Sequence, residues 1–94
     1  MKTTRSSKLF AKAVNILPGG VDSPVRAFKS VGAIPLFIKR ARGSRLEDID
    51  GNTFIDYVMS WGPLIHGHAP RGLVKAVAAA ARGGTSYGAP SPLE

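Results

Sequence analysis

The chain has 94 residues, 44% apolar and 20% charged, which suits one small ordered domain burying about 60 to 70% of its unfolded surface and excludes disorder throughout. Cysteine is absent, which excludes a disulfide framework and any thiolate metal site and is compatible with a reducing compartment. The net charge of +7 is scattered, and its one dense cluster, Lys39, Arg40, Arg42 and Arg45, lacks interleaved aromatics, so it reads as a solvated strand edge and no nucleic-acid partner is expected.

The N-terminal segment carries Lys2, Arg5, Lys8 and Lys12 before the first acid, Asp22. That composition also occurs in transit peptides, which would mean a plastid destination. The spacing of Phe10, Ala13, Val14 and Leu17 gives the segment a structural job instead, so the cytoplasm is the expected location. The period predicts an amphipathic helix over Ser7–Leu17, with Ser6 or Ser7 capping its first amides and Pro18-Gly19-Gly20 ending it. Val21 to Pro35 holds two prolines and Gly32 without periodicity, and reads as a shaped loop of the kind that often carries function.

Three β-forming runs follow, Leu36–Arg40, Arg45–Ile49 and Thr53–Val58. The Asp50-Gly51 pair predicts a tight primed turn between the last two, so a three-stranded antiparallel meander is expected. Val74, Val77, Ala78 and Ala81 restore a helical period, predicting a helix over Pro70–Arg82 with Pro70 in its first turn and Gly83-Gly84 stopping it. Ser86 to Glu94 reads as loop. The longest apolar run, Ala76–Ala81, has six residues against about 20 for a membrane-spanning helix; no membrane partner is expected.

Some motifs fail on chemistry. Asp48, Asp50 and Asn52 match the first ligands of a calcium loop, but Gly51 falls one place early and Met59 stands where the closing glutamate belongs. His66 and His68 lack a third ligand at a recognised spacing, so no metal is expected. Gly19-Gly20 matches neither phosphate-binding glycine pattern and reads as a helix C-cap. Ser23 beside Asp22, with histidines downstream, does not define a nucleophilic triad, which is a spatial arrangement. Arg26 differs: a guanidinium in a proline-bearing, apolar-flanked loop needs a partner, and its planar fork matches a carboxylate or phosphate. From the residues alone a structural ion pair is the favoured reading.

Three blocks, Pro18-Gly19-Gly20-Val21-Asp22-Ser23-Pro24-Val25-Arg26-Ala27-Phe28, Ser60-Trp61-Gly62-Pro63 and Thr85-Ser86-Tyr87-Gly88-Ala89-Pro90, resemble in order and separation the N-terminal portion of the glutamate-1-semialdehyde aminomutase family of class-III pyridoxal-phosphate aminotransferases. The resemblance runs from about Ser6 to Glu94. It implies an α/β fold, namely part of a fold-type-I transferase with an N-terminal helix, a small β-meander and the first helix of the large domain. Residues 1–62 would form the N-terminal segment and 63–94 the start of the pyridoxal-phosphate domain. Family members are several times longer, so an N-terminal fragment is expected.

The same resemblance implies that Ser23, Arg26 and Trp61 line the substrate pocket, with Arg26 pairing the substrate carboxylate, and that Tyr87 and Gly88 belong to a loop near the active site and the partner subunit of a homodimer. The implied reaction moves an amino group between adjacent carbons of glutamate-1-semialdehyde to give 5-aminolevulinate, in tetrapyrrole synthesis. Pyridoxal phosphate would serve as electron sink. The family's Schiff-base lysine has no counterpart among Lys2, Lys8, Lys12, Lys29, Lys39 or Lys75, so no catalytic residue is assigned and the chain alone is expected to be inactive and not to hold the cofactor. His66 and the run Ala69-Pro70-Arg71-Gly72 depart from the family pattern. Two alternatives remain open: another class-III aminotransferase, or a non-catalytic remnant that binds a full-length subunit or an anionic partner.

Overall fold

Helix α1 spans Thr4–Ala13 in a computed structural model that describes all 94 residues. It starts three residues before the expected position and stops four before the expected end. The start moves because its cap is not local. Thr3, at the N-cap position, makes no side-chain cap bond; instead the Asp50 carboxylate accepts the amides of Arg5 (2.7 Å) and Ser6 (2.9 Å). A carboxylate on the first-turn amides satisfies orphan donors and complements the helix dipole. Ser6, expected as a cap, is instead fully buried.

The end of α1 also corrects the expectation. Val14 closes the helix, Asn15 and Ile16 donate to Lys12 and Ala13 in a tighter turn, and Pro18–Gly20 is a separate 3₁₀ turn. Gly20 therefore does not cap α1. It sits at φ +76° beneath the helix, where a Cβ would lie 2.6 Å from Phe10 and 2.8 Å from Val14. The loop after it carries two further 3₁₀ turns, Pro24–Ala27 and Lys29–Val31.

The sheet is the expected antiparallel meander in the order β1-β2-β3: β1 Ile38–Arg42, β2 Arg45–Asp48 and β3 Thr53–Ile55. β1 runs two residues later than expected because Gly43-Ser44 turns the chain, with Gly43 at φ +56°. Lys39 is the extra residue of an irregularity between Ile38 and Arg40. The second connection is not the expected primed turn. Gly51 N donates to Asp48 O, Asp48 N to Asn52 O, and only Gly51 takes positive φ (+84°), giving the longer turn with a single left-handed residue. Ala41, Leu46 and Phe54 are register partners across the three strands and all are half-buried, while their neighbours Arg42, Arg45 and Ile55 are exposed, so at this level one face of the sheet is covered. Lys39 and Arg40 share Glu47.

After Pro63 the chain stays attached to the meander through His68, whose N and O pair with Gly43 at 2.8 and 2.9 Å. From Pro70 it leaves. Helix α2 spans Arg71–Ala81, with Pro70 extended at its N-cap rather than inside the first turn. Residues 71–90 are exposed throughout. This reverses the expectation from length: the accessible surface is 7651 Å² against about 5,200 Å² for a globular chain of this mass, so about half of the extended-chain surface is hidden rather than two-thirds. The radius of gyration, 16.4 Å, likewise exceeds the roughly 12 Å of a compact chain this long. The physical reason is that α2 and the tail add length without covering the meander.

Candidate functional site

Residues of the 21–35 loop and of the 56–61 segment line one cleft of about 740 Å³. Ser23, Arg26 and Trp61 all lie on it. Ser23 is extended (φ −130°, ψ 128°) and starts the 3₁₀ turn Pro24–Ala27, where proline's fixed φ suits the first position. Arg26 N donates to Ser23 O at 2.9 Å, closing that turn. Ala27, 4% exposed, anchors it. Arg26 takes part in none of the chain's ion pairs, which are Lys39–Glu47, Arg40–Glu47 and His68–Asp56. The structural ion pair that the residues alone allowed is therefore not formed.

Trp61 is 68% exposed, so it is not a core residue. It closes a run of three non-glycine residues in the left-handed region: Met59 (φ +48°), Ser60 (+57°) and Trp61 (+68°), followed by Gly62 (+116°). L-residues resist this conformation by about 1 to 2 kcal/mol each, so the turn needs outside support. Asp56 supplies it. Its Oδ1 accepts the amides of Val58 (2.9 Å) and Met59 (3.0 Å), and Oδ2 lies 2.6 Å from His68 Nε2. These bonds also explain why β3 ends at Ile55 rather than Val58. The His68 contact first, then the Met59 and Val58 amides, hold the Asp56 carboxyl below its ordinary range against the opposing effect of burial.

Asp56 and His68 both line the cleft; Asp56 was not singled out from sequence, and His68 only as a metal ligand that was set aside. The available signal was an aspartate two residues before an amide it can accept, the pattern of an Asx turn. Tyr87 lies elsewhere. Its hydroxyl donates to Gly83 O at 2.8 Å, its ring closes over Gly84, and it lines a separate depression between α2 and the tail. Gly88 is exposed. The six lysines are exposed and none lines the cleft, so the cleft offers no amine for a covalently held aldehyde cofactor.

The class-III aminotransferase family model matches residues 27–91. The chain belongs to the class-III aminotransferases. Over all 94 residues it is 62% identical to the glutamate-1-semialdehyde 2,1-aminomutase of Thermodesulfovibrio yellowstonii, covering 22% of that protein. It is also 62% identical over 90 residues to the aminomutase of Desulfitobacterium hafniense, covering 96% of this chain and 21% of that one. Among solved structures it superposes on a transaminase with PLP bound (TM-score 0.84, 40% identity, covering 98% of this chain and 21% of that one). A glutamate-1-semialdehyde aminomutase from Pseudomonas aeruginosa matches with TM-score 0.80 and 25% identity, covering 94% of this chain and 19% of that one. The chain thus spans about a fifth of the length of these class-III relatives. Its helices and three-stranded sheet are the corresponding part of the transferase fold, and pyridoxal phosphate is the cofactor of the family.

Proposed function

We propose that this chain supplies the substrate-recognition segment of a glutamate-1-semialdehyde 2,1-aminomutase, which isomerises its substrate to 5-aminolevulinate. The observation that carries the reading is the convergence of Ser23, Arg26 and Trp61, from two separate loops, on one cleft, with Arg26 free of any acidic partner. A guanidinium fork so placed suits the substrate carboxylate. The Ser23 hydroxyl adds a hydrogen bond, and the Trp61 indole gives an apolar wall. Pyridoxal phosphate, when bound, supplies the electron sink of the family's chemistry. This chain contributes no lysine to the cleft.

A second reading, transfer between two molecules, is favoured by the 40% identity to the PLP-bound transaminase structure. The 62% identity to two aminomutases supports the first. In keeping with it, residues 1–62 are assigned to the N-terminal segment and 63–94 to the start of the cofactor domain, the active assembly to a homodimer, the location to the cytoplasm, and Tyr87 and Gly88 to a loop that reaches the site only in that assembly. The chain alone is expected to be inactive.

The test grafts residues 1–94 onto the Thermodesulfovibrio relative in place of its aligned segment. Formation of 5-aminolevulinate without an added amino acceptor is the expected result. Dependence on an acceptor favours the transaminase, and a folded, cofactor-loaded graft with neither activity overturns both.

A further inference from the structure

We propose that Asp56 and His68 form a clamp that holds the left-handed Met59–Trp61 turn and thereby sets where the Trp61 indole stands in the cleft. They are positioning residues, acting through Trp61 rather than on a ligand. Three consecutive non-glycine residues at positive φ do not persist on local preference. What holds them is mapped by the hydrogen bonds. One Asp56 oxygen takes the two amides that open the turn, Val58 and Met59, and the other takes His68 Nε2.

Both ends of the clamp hang from the same β1–β2 turn. Asp56 N donates to Ser44 O at 2.8 Å, and His68 pairs in both directions with Gly43. The approach is so close that a Cβ on Gly67, itself at φ +75°, would stand 2.9 Å from Gly43 O. The carboxylate and the imidazole are 9% and 17% exposed, while Trp61 is 68% exposed. A half-buried base thus carries an open indole, the arrangement expected when rigid second residues orient one that makes contact. Trp61 N donates to Val58 O at 2.9 Å, so the amide that Asp56 holds belongs to the residue that closes the tryptophan's own turn. The clamp stands on these bonds alone; its consequence for substrate rests on the function proposed above.

The experiment uses the 94-residue chain, in which Trp61 is the single tryptophan. A strong amide-to-α-proton NOE within a residue marks positive φ, so the NOEs of Met59, Ser60 and Trp61 read the turn directly, and the lone indole N–H resonance reads the ring. Asp56→Ala is expected to abolish the strong NOEs and shift or broaden the indole signal while the β1–β2 amide signals stay in place. Asp56→Asn, which keeps an acceptor for Val58 and Met59, is expected to retain the NOEs. Their persistence in Asp56→Ala overturns the proposal. If Asp56→Ala loses the sheet signals as well, His68→Ala decides, with loss of the NOEs expected and their retention overturning.

In the grafted enzyme, a double-mutant cycle separates this role from a general structural one. The Asp56→Ala/Trp61→Ala pair is expected to lose no more kcat/KM than Trp61→Ala alone, and independent, multiplicative losses overturn action through Trp61. Unchanged kinetics in Trp61→Ala would remove the indole from the proposed function, and the NOEs would still decide the clamp.

Discussion

Ser6 and Asp50, 44 positions apart, share two hydrogen bonds: Ser6 N and Ser6 Oγ both donate to Asp50 Oδ2, at 2.9 and 2.7 Å. The turn that joins β2 to β3 therefore caps α1, and the helix is fixed to the sheet at its first turn. Arg5 Nη1 to Ile49 O and a reciprocal pair between Lys2 and Asn52 extend the seam. Because Ser6 is fully buried, Ser6→Ala removes a hydroxyl that water cannot replace. The expected loss is about 0.5 to 1.5 kcal/mol, read from the urea midpoint. An unchanged midpoint would mean that the seam adds nothing to stability.

Acid should undo the same seam. For Asp50, burial would raise the carboxyl's affinity for protons, but the Ser6 hydroxyl, the amides of Arg5 and Ser6 and the Arg5 charge overcome it, so its pKa lies below the ordinary value. Asp56 is lowered too, chiefly by His68. A folded-state pKa below the unfolded value of about 3.9 means the unfolded chain binds more protons between the two values, so stability rises with pH there. The contribution is complete above the unfolded pKa and is lost as pH falls through the folded ones. The urea midpoint should hold from about pH 6 to 5 and drop below about pH 4, and Asp50→Asn should flatten that drop. An equal slope in the variant would assign the acid transition to other groups.

Two glycines at positive φ separate strain from collision. Gly51 (φ +84°) has open space where a Cβ would go, whereas a Cβ on Gly67 (φ +75°) meets the Gly43 carbonyl at 2.9 Å. Gly51→Ala should cost only the left-handed penalty, about 1 to 2 kcal/mol. Gly67→Ala must also move backbone and break the Gly43–His68 pairing, so its cost should be the larger by on the order of 1 kcal/mol or more. Equal losses would show that the close approach yields freely.

These contrasts explain what could be read in advance. The meander was legible because β-forming runs on either side of Asp50-Gly51 state it locally, and the grouping of Ser23, Arg26 and Trp61 came through the resemblance. The capping of α1 was not legible, since its acceptor lies 44 residues away and local rules point to Ser6 or Ser7. Nor was the Met59–Trp61 turn: none of its residues favours positive φ, and the groups that enforce it, Asp56 and His68, act from outside. The type of the Asp50-Gly51 turn depended on Asp48, whose buried carboxylate accepts Asp50 N and Asn52 N and so selects a longer loop.

Arg26 carries the kinetic prediction. Losing a charge-assisted contact to a carboxylate costs about 1.5 to 3 kcal/mol, or roughly 10- to 150-fold in kcat/KM. Arg26→Ala in the grafted enzyme should fall in that range, and Arg26→Lys should recover only part because lysine lacks the fork. Wild-type kinetics in Arg26→Ala would take the residue out of the site.

Helix α2 should behave as a separate, weaker unit of the isolated chain. Its 11 residues fall below the roughly 12 to 15 that an unsupported helix needs, and Leu73, Val74 and Val77 are 54%, 51% and 59% exposed. It gains too little burial to offset the backbone entropy of ordering, about 1 to 2 kcal/mol per residue. Amides of α2 should therefore exchange freely while those of β2, paired on both sides, are protected. Val77→Asp should change the stability of the meander, read from its urea midpoint, by no more than about 0.5 kcal/mol, as for an exposed site. A loss of several times that, or slow exchange along α2 in dilute monomer, would show that the helix packs on the rest of the chain.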